Sequence, residues 1–139
     1  MKSLLITSAL LLAPPAFAQS NLGELLDQGA KKLTKQEFLL LLPKTHSGIT
    51  PSGRAEINLT YRPDGSLIGN ARSVQTGSTS GITGSWTIDE SGKICIKEAF
   101  LAWNQTYEGC APWFKLGEQY WAGGSDTDRG SGVYKINLK

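Results

Sequence analysis

Two cysteines, Cys95 and Cys110, lie in a stretch of alternating residues that leaves the chain few ways to fold. Across residues 81–88, Ile82, Gly84, Trp86 and Ile88 take one side of an extended strand and Thr83, Ser85 and Thr87 the other. This is the period of two that a half-buried strand needs. Asp89-Glu90-Ser91-Gly92 then turns the chain, with Asp able to bond its own backbone and Gly free to take positive φ. In the next strand Ile94 and Ile96 share the apolar face, while Lys93, Cys95 and Lys97 share the polar one. In the returning segment Tyr107, Gly109 and Ala111 fall on one face and Thr106, Glu108, Cys110 and Pro112 on the other. Both cysteines avoid the apolar face, which predicts a disulfide clipped across the outside of two neighbouring strands. Direct opposition of Cys95 and Cys110 would centre their connection between Ala102 and Trp103, which is poor turn sequence. Asn104-Gln105 turns better but sets the cysteines several residues apart. A wide or bulged loop over about residues 98–107 reconciles the two.

A disulfide needs an oxidising compartment, and the N-terminus predicts one. Met1-Lys2 gives a positive start, the residues from Leu4 to Ala13 an apolar run, and Ala16-Phe17-Ala18 a small-x-small cleavage site. Residues 1–18 are therefore predicted to be a signal peptide, cleaved before Gln19. No cysteine stands at that site, so a lipoprotein is not indicated, and no later run is long and apolar enough to hold the mature chain stably in a membrane. The expected product is periplasmic or secreted.

Lys2 leaves with the leader, so the 14 basic residues become 13 against 12 acidic ones and the mature charge is about +1. No basic cluster exceeds Lys31-Lys32-Lys35, read as a solvated helix face, which argues against a nucleic-acid partner. Sixteen glycines, many between short alternating runs, suit an all-β body rich in turns.

Residues 19–47 read as a helical N-terminal segment. Leu22, Leu25, Leu26 and Leu33 lie close to one helical stripe. Thr34-Lys35-Gln36-Glu37 is a capping box, with Leu33 and Phe38 placed as a hydrophobic staple. The helix it starts is expected to run through Leu42, stop before Pro43 and cover a barrel end. From residue 48 to 139 the texture is β. Ala55, Ile57, Leu59 and Tyr61 alternate with polar residues, and Pro63-Asp64-Gly65 turns the chain into a weaker arm where Gly69 suggests a bulge. Residues 75–81 read as an exposed flexible loop without the lysine of a phosphate-binding loop. Tyr134, Ile136 and Leu138 share a face of the last strand. Seven or eight short strands preceded by helix predict a small antiparallel β-barrel or a strongly curved sheet.

Tyr61-Arg62-Pro63-Asp64-Gly65, the G-x-W strand Gly84-Ser85-Trp86, the run Gly92-Lys93-Ile94-Cys95 and the second cysteine together resemble a family of small exported bacterial proteins of unknown function, described as lipocalin-like. The resemblance spans residues 42–139. It implies export and a β body and brings no activity with it. In true lipocalins the G-x-W motif stands on the first strand, whereas here it lies in mid-chain.

Catalysis finds few candidates. His46 is the only histidine and sits in a Gly- and Thr-containing stretch read as a loop. Both cysteines are expected to be oxidised. Carboxylates pair in Asp126-Thr127-Asp128 and in Glu98 with Glu108, positions read as solvated turns, and the first pair lacks the later ligands of a calcium loop. No enzyme activity, metal site or cofactor is predicted. The functional candidates are instead aromatic: Trp103, Tyr107, Tyr120 and Trp121, of which Trp103 and one of Tyr120 and Trp121 are expected in an exposed patch. The chain is accordingly read as a non-enzymatic binding module for a glycan, a small apolar ligand or a protein of the cell envelope. The alternatives are a secreted enzyme inhibitor or immunity protein and, last, a hydrolase.

Overall fold

The computed structural model describes residues 21–139; the signal-peptide reading of residues 1–18 lies outside them. Two short helices, α1 (Leu22–Asp27) and α2 (Lys35–Leu39), flank a two-residue strand β1 (Lys31–Lys32). Nine further strands follow: β2 (Lys44–Ile49), β3 (Ala55–Tyr61), β4 (Ser66–Ser73), β5 (Thr79–Ile88), β6 (Ile94–Phe100), β7 (Gln105–Ala111), β8 (Trp113–Leu116), β9 (Gln119–Gly123) and β10 (Val133–Leu138). All ten pair antiparallel in one sheet of order β1-β8-β9-β10-β2-β3-β4-β5-β6-β7, curled into a half-barrel. Its two flanks are joined through a single residue, Pro112, between the end of β7 and the start of β8. No helix among the described residues is long and apolar enough to cross a membrane.

The alternation read from sequence sets the faces. Leu59 and Tyr61 of β3, Leu67 and Ala71 of β4, Ile82 and Trp86 of β5 and Ile94 of β6 turn inward and join one buried cluster. Thr83, Ser85 and Thr87 face out. Curvature comes from Gly69 and Gly84. A Cβ at Gly69 would collide with the Asn58 carbonyl, and one at Gly84 with the Lys97 carbonyl, so only glycine lets the neighbouring strands approach this closely. The bulge expected at Gly69 is absent, since β4 keeps an unbroken register with both neighbours.

The capping box forms as read: Thr34 Oγ1 accepts from Glu37 N at 3.2 Å, and Thr34 N donates to Glu37 Oε2 at 2.8 Å. The helix it starts is shorter than expected, because Leu40 already caps it. Its work is done by Phe38, which packs edge-on against Tyr61, Trp86 and Trp113 at 5.7, 5.5 and 5.3 Å and plugs one end of the half-barrel. The first helix likewise ends early, and Leu33 belongs to the staple rather than to the stripe of α1. Leu22 and Leu25 of α1 pack with Phe114, Trp121 and Val133 in a second cluster on the opposite face of the sheet. Within the segment expected to be helical, Lys31 and Lys32 form a strand instead of a solvated helix face, and β2 starts at Lys44.

The disulfide Cys95–Cys110 is present, with the two residues directly opposite and their Cα atoms 3.9 Å apart. The wide loop is not. Pairing continues to Phe100 and Gln105, leaving a four-residue connection whose last member, Asn104, takes φ 50°. The tight turn is feasible because asparagine tolerates the left-handed region that Ala102 and Trp103 do not favour.

Candidate ligand cavity

The end of the half-barrel away from Phe38 stays open and holds a cavity of about 680 Å³, within the range of small-molecule sites. Inward-facing residues of β6 supply one wall. Alternation that sends Ile94 and Ile96 inside also sends Glu98 and Phe100 there. Glu98 is directly opposite Gly84 on one side and Tyr107 on the other. Gly84 offers no side chain, which leaves room beside the carboxyl. The Tyr107 hydroxyl lies over Gly109, where any Cβ would collide with it, so the phenol can lie down along its own strand. Tyr61 and Trp113 form the floor, shared with the Phe38 plug.

Three polar groups lining the cavity have a buried atom without a protein partner. Glu98 is only 7% exposed and its Oε1 accepts no hydrogen bond; burial pushes its pKa up from 4.5 to about 7. His46 stacks on Tyr61 at 6.1 Å and meets Trp113 edge-on at 5.3 Å, and its Nδ1 is unpaired. Burial pulls its pKa down to about 4, so the ring is neutral near pH 7. Trp103 stacks on Phe100 with centroids 5.5 Å apart and planes 10° off parallel, and its indole N–H donates to nothing. Native proteins pair nearly all such groups. Only two other buried side-chain polar atoms among the described residues lack a partner, on Trp121 and Ser131.

Of the four aromatic candidates from sequence, Trp103 and Tyr107 meet at this cavity. Trp103 is half-buried on its wall rather than exposed on a loop, because the tight turn folds it back onto Phe100. Tyr107 is 51% exposed at the rim. Tyr120 packs half-buried against the inner cluster, with the Lys115 ammonium 5.8 Å from its ring centre. Trp121, 6% exposed, belongs to the second cluster with α1. The structure therefore covers both residues of the Tyr120-Trp121 pair instead of leaving one outward, because α1 buries the face that period two leaves outside the half-barrel.

His46 stands on β2 rather than on a loop. Glu98 and Glu108 take opposite faces: Glu108 pairs outside with Lys97 at 3.0 Å, so the two carboxylates do not meet. Asp126 is held by Lys32 at 2.6 Å and Lys93 at 3.5 Å, and Asp128 accepts from its own loop at Gly130 N. This Asp-Thr-Asp segment ties the loop before β10 to β1 and to the start of β6. The residues that sequence reasoning missed are Glu98 and His46 as cavity groups. The signal for Glu98 was the same parity that placed Ile94 and Ile96.

Compared with models of known protein families, with curated proteins and with solved structures, the chain finds no match in any of the three.

Proposed function

We propose that this chain is an exported, non-enzymatic protein that binds a small amphipathic ligand in the open end of its half-barrel. One observation carries the reading: Glu98, His46 and Trp103 bring three unpaired polar atoms to a single aromatic-walled cavity. An apolar body would fill the space, and its polar groups would satisfy these atoms, the usual composition of a small-molecule site. Partner-binding and inhibitor readings asked for an aromatic on an exposed loop; here Leu101 occupies the exposed loop position and Trp103 turns back. Export agrees with the Cys95–Cys110 bridge, which persists in the periplasm or outside the cell, and with the leader read over residues 1–18. The resemblance to small exported lipocalin-like proteins points the same way.

The test uses N-phenyl-1-naphthylamine, whose fluorescence rises in apolar sites. Saturable one-to-one binding by the native protein is expected. Ile96→Trp, which fills the cavity from β6, should abolish it with the far-UV spectrum intact. Absence of saturable binding, or equal binding by the filled variant, would refute the reading.

A further inference from the structure

The geometry points to a protonated amine on an apolar body as the ligand class, its ammonium seated at Glu98 beneath Tyr107 and Trp103. This rests on the cavity reading above and deepens it. Glu98 is more than nine-tenths buried and lines the cavity, yet no lysine or arginine among the described residues makes an ion pair with it. The groups facing it cannot neutralise an ionised carboxylate. Gly84 contributes no side chain, Tyr107 carries no cationic group, burial raises the Tyr61 pKa and keeps that phenol uncharged, and His46 is held neutral. Arg54 and Lys135 touch the cavity, but both are exposed. A buried carboxylate is tolerated when a cation pairs with it, and the described residues supply none.

The remainder of the wall suits the same guest. Ring faces carry negative quadrupole density and attract an ammonium within about 6 Å, more strongly when water is excluded. Tyr107, directly opposite Glu98, and Trp103, Phe100 and Tyr61 offer such surfaces along the same cavity. A carboxylate ligand would meet Glu98 as a like charge. An alcohol would satisfy one hydrogen bond without the charge pairing.

Three probes with one apolar body separate these cases: 4-phenylbutylamine, 4-phenylbutanol and 4-phenylbutanoate, titrated calorimetrically into the native protein and into Glu98→Gln. The amine is expected to bind at least about tenfold more tightly than the alcohol near pH 8, and the acid most weakly. Its affinity should fall several-fold on acidification to pH 5.5, where Glu98 takes up a proton while the amine keeps its own. The alcohol should be indifferent to pH. Glu98→Gln, which preserves shape, should reduce the amine to the alcohol's affinity and leave the alcohol unchanged. Equal affinities for the three heads, tightest binding of the acid, or an amine affinity untouched by Glu98→Gln would overturn the amine inference while leaving the cavity reading standing. Failure of all three to bind would overturn both.

Discussion

The two ends of the half-barrel are built from the same strands and the same alternation, yet they solve opposite problems. At the plugged end Phe38 meets three aromatic rings edge-on, and one of the two indoles there, Trp86, donates its N–H to the Arg62 carbonyl at 2.8 Å. Toward the open end the cavity wall carries Glu98 and Trp103, each with an unpaired polar atom, and His46 adds a third against the floor rings Tyr61 and Trp113. Leaving a buried polar group unpaired costs about 1–3 kcal/mol. The plugged end therefore supplies stability and the open end spends some of it, which is the pattern expected where a binding site is kept ready.

The largest effect should come from breaking the plug. Phe38→Ala removes a ring that is 2% exposed and should lower unfolding free energy by about 3–5 kcal/mol in denaturant titration. Trp103→Ala, half-buried at the mouth, should cost only about 1–2 kcal/mol and should weaken probe binding, so the two variants fall in opposite order for stability and for affinity.

Next in size is the bridge. Cys95–Cys110 clips the outer edge of β6 to β7, the strand that carries Tyr107. Replacing both cysteines by serine should cost about 3 kcal/mol in the chain-entropy account. Hydrogen exchange should speed first in β7 and last around Phe38; uniform acceleration would show that the two ends are not distinct in stability.

Smaller, and opposite in sign, are the two titrating groups of the cavity. Glu98, raised to about 7, keeps in the folded state a proton that the unfolded chain has released; its contribution is full below 4.5 and is lost as pH rises through 7. His46, lowered to about 4, stays neutral where the unfolded chain is charged; its contribution is full above 6.5 and is lost as pH falls through 4. Between pH 4.5 and 6.5 the two oppose each other. Glu98→Gln should unmask His46, giving stability that rises with pH across this window. At about pH 8 it should exceed the native protein by on the order of 1–3 kcal/mol. His46→Gln should show the reverse slope. Parallel profiles for both variants would mean that these groups are not both buried in the cavity.

Legibility in the sequence followed the range of each interaction. Strand faces at Ile82 to Ile88 and Ala55 to Tyr61, the turn at Pro63-Asp64-Gly65 and the Thr34 capping box are local, and alternation or side-chain chemistry specifies them. The Cys95–Cys110 bridge was readable because parity put both sulfurs outside. The tight connection was not, since propensity spoke against Ala102-Trp103 while the register of the long β6–β7 ladder overrode it. The burial of Trp121 needed α1 on the outer face, a contact that no local pattern encodes. The same parity that sends Ile94 and Ile96 inward applies equally to Glu98, but a carboxylate at the start of an expected loop reads as solvated, and its burial comes from the paired strands on either side.

The chain carries four tryptophans, placed at the plug (Trp86), the floor (Trp113), the mouth (Trp103) and the outer cluster (Trp121). Their indole N–H resonances report on the division directly. In a two-dimensional ¹H–¹⁵N titration with 4-phenylbutylamine, the Trp103 signal should move furthest, Trp113 should follow, and Trp86 and Trp121 should stay in place. Leading shifts at Trp86 or Trp121, or a Trp103 signal unmoved at saturation, would contradict a ligand site at the open end.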